Sequence, residues 1–495
     1  MEVKEPAAGR RGATALAITV AWAAILILVL FSLSRGAVPA AAGTGQPGSK
    51  LHHTAVIPLP VVLSGASASS GGEFVYAVGS DVAGLDPSGT TDGTSFLVTR
   101  QIYETLVTNE PGGTLPRPGL AESWIVSSDG LTWTFRLRPG VKFHDGTPLD
   151  AAAVVYNFQR WWDPAHPFHD GPFEYFGFMF YGFKGDPGCL LGNVLAVGTD
   201  QVQLVLTRPY SPLPSTLAMP PFAIASPAAI QAGTLDAAPV GSGPFQFVAW
   251  LPGDEVRLEA YVGYWGLGPY LQSLVFRVIP DAGDRLAALQ AGAVQGADNM
   301  PWSSVPLAAA DLNLRVSWRP ALNTGYLGIN RAHPPLDNPL VRQAIAHALD
   351  KAAIVSSHYN QDAPGGQVAT QLLPPAQWGR DEALVDYDYD PAEAEALLAD
   401  AGYGGGLHTT LWVLPVTRLY LPNALDLALS MQEDLNSVGI STTLITEYDW
   451  ATYLTKVADG EADLFMLGWG GDNGHPDNFF YPLLCDQYQR YGPRD

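Results

Sequence analysis

Between Leu411 and Asn478, two charged side chains and three aromatic rings stand where the chain leaves its apolar runs: Arg418, Tyr420, Trp450, Trp469 and Asp472. A guanidinium grips a carboxylate through two parallel hydrogen bonds, and a carboxylate holds an ammonium through charge-assisted ones. Indole and phenol rings add apolar walls with one polar edge. Together these groups suit a small ligand with a negative end, a positive end and an apolar body. Each also has an ordinary reading: Arg418 as a solvated loop residue, Asp472 as a turn cap, the two tryptophans as core. Asp477 and Asn478, beside Pro476, read as turn structure rather than ligand contacts.

Three short apolar runs alternate with two helical patterns in the same stretch. The runs are Thr410 to Leu414, Thr442 to Thr446 and Leu464 to Leu467. Between the first two, Ala424, Ala428, Met431, Leu435 and Val438 share one helical face, and Gly439 stands where a C-cap is expected. A second helix is expected from Trp450 to Ala458. This β-α-β-α-β order predicts a parallel sheet. Arg418 and Tyr420 follow its first strand, Trp450 its second, and the run Gly468 to Asn478 its third. Ligands of open α/β sheets bind beyond the carboxyl ends of the strands, where these residues would converge.

The chain has 495 residues, enough for two or three domains. Hydrophobic residues make up 47% and charged residues 15%, a globular balance. A net charge of −22 argues against nucleic acid, which demands a basic footprint. Nucleophile-elbow, zinc-protease and kinase motifs are missing, and the Gly-rich run Pro239 to Phe245 lacks the Gly-Lys-Ser/Thr of a phosphate loop. Asp472 and Asp477 form an acidic pair, but nothing beside them marks a scissile bond or a companion base. Binding without catalysis is expected, with no cofactor and no metal.

Lys4, Arg10 and Arg11 precede an uncharged apolar run from Gly12 to Ser34, and Ala40 to Ala42 offer a small-residue cleavage site. The run is either a secretory signal (1–42) or a membrane anchor, and both put the rest outside the cytoplasm. Residues 43–71 read as a flexible tether, with His52 and His53 solvated. The two cysteines, Cys189 and Cys485, leave pairing open. Further on, Phe74 to Val78 reads as a strand, Phe96 to Leu106 as a helix, Leu131 to Leu137 as a half-buried strand, Val194 to Leu206 as a hairpin about Gly198, and Val341 to Ile354 as one helix. The aromatic run Phe168 to Phe183 reads as packing under a loop or between domains, with a ligand box as the alternative.

Four ordered blocks resemble the large extracytoplasmic solute-binding proteins of ABC importers for peptides and nickel. They are Pro118 to Trp124 with Asp129 to Gly146; Pro239 to Phe245; Asn330 with Pro335 to Asp337 and Val341 to Asp350; and Gly468 to Phe480. The run Leu411 to Asn423, taken with Gly468 to Asn478, is most similar to the dipeptide-binding type. The resemblance implies that Arg418 holds a peptide carboxylate, Asp472 its α-ammonium, and Trp450 and Trp469 wall the pocket, with Tyr420 beside Arg418. It implies an α/β fold of two lobes hinged together. Residues 72–108 and 239–325 would form lobe 1, 109–238 an inserted subdomain, and 326–495 lobe 2. It implies delivery of short peptides to an ABC permease by a monomeric receptor, reaching the membrane through its N-terminal segment. Receptors for nickel chelate, haem or oligosaccharide, and a membrane-anchored peptide sensor, are the alternatives. Relatives continue past the block Gly468 to Phe480 and cross back to lobe 1, so the end at Asp495 reads as a truncation that leaves Cys485 without a downstream partner.

Overall fold

Trp133, Phe135 and Leu137 alternate with Thr132, Thr134 and Arg136, and the strand Thr132–Leu137 buries the first set while Arg136 is exposed. One wet face and one dry face make it the centre of a four-stranded antiparallel sheet. The sheet order is Ala121–Val126, Thr132–Leu137, Gln201–Leu206, Leu191–Val197, the last two forming the expected hairpin. The helix Ala151–Trp162 starts at an Asp150 cap and buries Val154, Phe158 and Trp161. A computed structural model of the chain describes residues 60–64, 71–318, 321–359, 365–418 and 420–484. The segment 12–34, the pair His52 and His53, most of the tether 43–71, and Cys485 lie outside the described residues. Among the described residues no helix is long and apolar enough to cross a membrane.

The aromatic run divides on folding. Phe173, Phe176 and Phe180 are buried, Phe176 and Phe180 stacking at 4.6 Å and Phe180 meeting Phe222 edge-on at 5.7 Å. Each fully buried ring contributes about 1.5–3 kcal/mol. Tyr175 is only half-buried.

The first lobe is built on a seven-stranded sheet. Glu73–Val78 lies inside it, parallel to Ser273–Val278 on one side and to Gly296–Ala297 on the other. Phe245–Leu251 and Glu255–Ala260 extend it beyond Ser273–Val278. Pro60–Ser64 is a strand here, antiparallel to Leu314–Trp318, although the tether expectation covers it. Its Val-Val-Leu core gives these five residues the strand preference that the Gly/Ser-rich stretch around them lacks.

The second lobe carries the β-α-β-α-β unit. Its sheet order is Asn323–Ile329, Leu464–Gly470, Leu407–Trp412, Ile440–Ile445. Leu407–Trp412 runs parallel to both Ile440–Ile445 and Leu464–Gly470, as its pattern predicts, while Asn323–Ile329 joins antiparallel. Leu411, Leu427, Ala428, Leu435, Ile440, Leu464 and Met466 close its core. The expected helix Val341 to Ile354 is two helices, Pro339–Ala348 and Lys351–Tyr359. Asp350 breaks it: its carboxylate accepts from Ala353 N at 2.8 Å and its own N–H donates to Asp434 at 2.9 Å.

Candidate ligand cleft

The three parallel strands of the second lobe deliver the five sequence-selected residues to one end of the sheet. Arg418 and Tyr420 follow Leu407–Trp412. Trp450 opens the helix Trp450–Ala458, whose Asp449 cap accepts from Thr452 N at 3.0 Å. Trp469 is the penultimate residue of the strand Leu464–Gly470, and Asp472 follows it.

Three of the five form one cluster. The Arg418 guanidinium lies 4.9 Å from the centre of the Trp450 ring, a cation–π contact. It also stands near the Tyr420 hydroxyl, whose pKa burial pushes up and the Arg418 charge pulls down. Trp450 in turn stacks on Tyr453 at 6.2 Å. Tyr420 is pinned by the strand beneath it: a Cβ on Gly468 would stand 2.3 Å from its ring, so only glycine fits there. The Tyr420 carbonyl accepts from Tyr359 Oη at 2.8 Å. Among the described residues Arg418 enters no ion pair, so its fork keeps donors for an anionic group.

The other two share a fastener. Asn478 Oδ1 accepts from Trp469 Nε1 at 3.3 Å and from the Asp472 N–H at 2.9 Å. The turn reading of Asn478 thus has a physical content: it ties the Asp472 backbone and the Trp469 indole into one arrangement. The Asp472 side chain is exposed, yet the protein around it, with Tyr175 near by, limits its hydration. That crowding pushes its carboxyl up to about 6, against the smaller opposing pull of Asn478. Asp472 and Arg418 do not pair with each other, which leaves both charges for a ligand.

Sequence reasoning missed the first-lobe side. The Tyr175 hydroxyl is pushed up to about 12, by burial first and then by the negative charges of Asp472 and Glu174. Asn473 donates to Thr216 at 3.3 Å, and Gly474 packs on Thr114. The one available signal was the aromatic run that holds Tyr175. Single threonines offer none.

A cavity of about 260 Å³ lies deeper in the second lobe, along the strand Asn323–Ile329 and under Ile345, Leu349 and Met431. Only Tyr420 belongs both to its lining and to the charged cleft. The cleft differs from it in carrying two opposite charges, Arg418 and Asp472, that do not pair with each other.

Residues 116–490 match the family described as bacterial extracellular solute-binding proteins, family 5. The chain belongs to this family. It is 38% identical over 441 residues to a dipeptide-binding protein of Escherichia coli K12, covering 86% of this chain and 81% of that one. It is 36% identical to heme-binding protein A of Haemophilus influenzae over 85% of this chain and 78% of the relative. Among solved structures, HbpA2 from Haemophilus parasuis superposes with a TM-score of 0.78 at 36% identity, covering 83% of this chain and 82% of the other. The dipeptide-binding protein of Pseudoalteromonas sp. SM9913, in complex with Met-Leu, gives 0.61 at 30%, over 83% of each chain. The expected two-lobe periplasmic-binding-protein fold is therefore the fold of this chain, and its family is one of extracytoplasmic receptors.

Proposed function

We propose that the protein captures short peptides, dipeptides foremost, and delivers them to an ABC permease. The observation that carries this is the pair of unneutralised opposite charges, Arg418 and Asp472, held apart at the same end of one sheet. A zwitterionic peptide matches both: its carboxylate on the guanidinium, its α-ammonium on the carboxylate. Trp450, Trp469 and Tyr420 then wall the body of the ligand. Likeness to two dipeptide-binding proteins supports the same reading.

In this reading the receptor releases its peptide intact, acts as a monomer outside the cytoplasm, and is exported or anchored by residues 12–34. Lobe 1 takes residues 72–108 and 239–325, the insertion 109–238, and lobe 2 the residues from 326 onward. Calorimetry with a dipeptide, the matching tripeptide, the N-acetyl dipeptide and the dipeptide amide tests it. Binding of the free dipeptide, weakened by blocking either end, is the expected result. Equal binding of all four forms removes the zwitterion assignment.

Haem is the second reading, favoured by likeness to heme-binding protein A. Haem carries carboxylates but no ammonium. Haem binding that survives Asp472→Asn, with no dipeptide binding, would establish it.

A further inference from the structure

The corner that follows Asp472 is seated on the opposite lobe. Asn473 is 2% exposed and Thr216 is fully buried. Asn473 Nδ2 donates to Thr216 Oγ1 at 3.3 Å, while Asn473 Oδ1 accepts from His475 N at 2.9 Å. Thr216 Oγ1 also lies 3.2 Å from the Tyr210 hydroxyl. Gly474 comes next with φ 69°, and a Cβ on it would stand 2.7 Å from Thr114 Cβ and 3.0 Å from Thr114 Cγ2. Left-handed backbone and lack of room each demand glycine.

The second lobe grips the same corner from behind. Gln377 Nε2 donates to Gly474 O at 2.6 Å, and the His475 ring meets Trp378 edge-on at 4.9 Å. Asn473 and Gly474 are thus clamped between their own lobe and the threonine pair. Asp472 is the residue immediately before them.

Tyr175 presents the first lobe to the same carboxylate. Its ring rests on Phe96 at 5.9 Å. The short helix that bears it is bounded by two left-handed residues, Phe173 at φ 40° and Tyr181 at φ 58°. Such backbone persists only where the surroundings over-determine it. Arg160 supplies part of that constraint, donating to Phe168 O at 2.9 Å and lying 5.1 Å from the centre of the Phe173 ring.

We propose that Thr114 and Thr216 are positioning residues for recognition of the ligand's free amino group. By seating Asn473 and Gly474 they fix the Asp472 carboxylate in its binding orientation only when the lobes meet. Preference for a free α-ammonium is then read at closure and not by the second lobe alone. This rests on the peptide-receptor reading above, and neither threonine touches the peptide.

The test is calorimetry on the full chain, wild type against Gly474→Ala, Thr216→Val and Asp472→Asn, each with a dipeptide and its N-acetyl form. Thr216→Val keeps side-chain shape and removes only the hydroxyl, so it serves where Gly474→Ala disturbs folding. A charge-assisted bond predicts a wild-type preference for the free amine of roughly 10- to 150-fold. Both corner variants are expected to cut that ratio at least about fivefold toward the Asp472→Asn value, with N-acetyl affinity changed by less than about twofold. Equal weakening of both ligands is the signature of a general closure defect and overturns the inference. So does an unchanged ratio. Wild type that binds neither ligand instead overturns the peptide reading itself.

Discussion

Arg418 and Asp472 act through different physics, and each predicts its own experiment. Arg418 offers a planar fork already oriented by the Trp450 face. Arg418→Ala should weaken dipeptide binding by about 2–3 kcal/mol, roughly 30- to 150-fold. Arg418→Lys should recover only part of this, because an ammonium keeps the charge but not the two-pronged geometry. Calorimetry reads both, and an unchanged affinity in Arg418→Ala removes the carboxylate assignment. Asp472 predicts a pH dependence. Its carboxyl is pushed up to about 6, above the ordinary carboxylate value of about 4. The folded chain therefore keeps a proton that the unfolded chain releases. The stability this group contributes is fully present below pH about 4 and is lost as pH rises through about 6. Ligand affinity runs the other way, because an ammonium needs the ionised form. Dipeptide affinity should be level above pH about 7 and fall roughly tenfold by pH 5, while the N-acetyl dipeptide shows no such slope.

The strand Leu464–Gly470 shows how an element serves the site without supplying a charge. Its Gly468 leaves the space that the Tyr420 ring fills, and Tyr420 stands beside Arg418. Gly468→Ala should displace that ring, destabilise the fold by about 1–3 kcal/mol and weaken dipeptide binding. Denaturant unfolding and calorimetry together check it; stability and affinity both at wild-type values would show that the ring is not pinned there. Much of this lobe was legible in the chain, because helical and strand periods differ and the runs at Leu411, Leu444 and Leu464 are bounded by turn residues. The strand ends that carry Arg418, Trp450 and Asp472 followed from that order. Other features were not legible. Asp350 splits a helix whose apolar pattern runs through it, since capping competes with continuation only once Asp434 is near. Pro60–Ser64 becomes a strand where Gly296–Ala297 and Leu314–Trp318 flank it on either side. Thr114, Tyr175 and Thr216 meet the Asp472 corner across hundreds of positions, and no local pattern marks such a meeting.

At the scale of the whole molecule, one buried charge ties the insertion to the first lobe and to the cleft wall. Arg160 and Asp86 have side chains only 6% and 10% exposed and meet at 2.6 Å. The same guanidinium reaches Asp170 at 3.1 Å and donates to Phe168 O, just before the segment that presents Tyr175. A buried pair is weak evidence for net stability, because each charge gave up its hydration. Breaking it is another matter. Arg160→Met leaves Asp86 buried without its partner and should destabilise the protein by about 3–5 kcal/mol. Replacing both, as Arg160→Met with Asp86→Leu, removes the orphaned charge and should restore most of that loss. The cleft should not recover with it, since Phe168 and Asp170 still lack the guanidinium that sets the approach to Tyr175. The double variant is therefore expected to unfold near the wild-type denaturant midpoint, yet to bind dipeptide more weakly than wild type. Recovery of affinity together with stability would make Arg160 a fold residue only, and would detach the cleft wall from the ion pair.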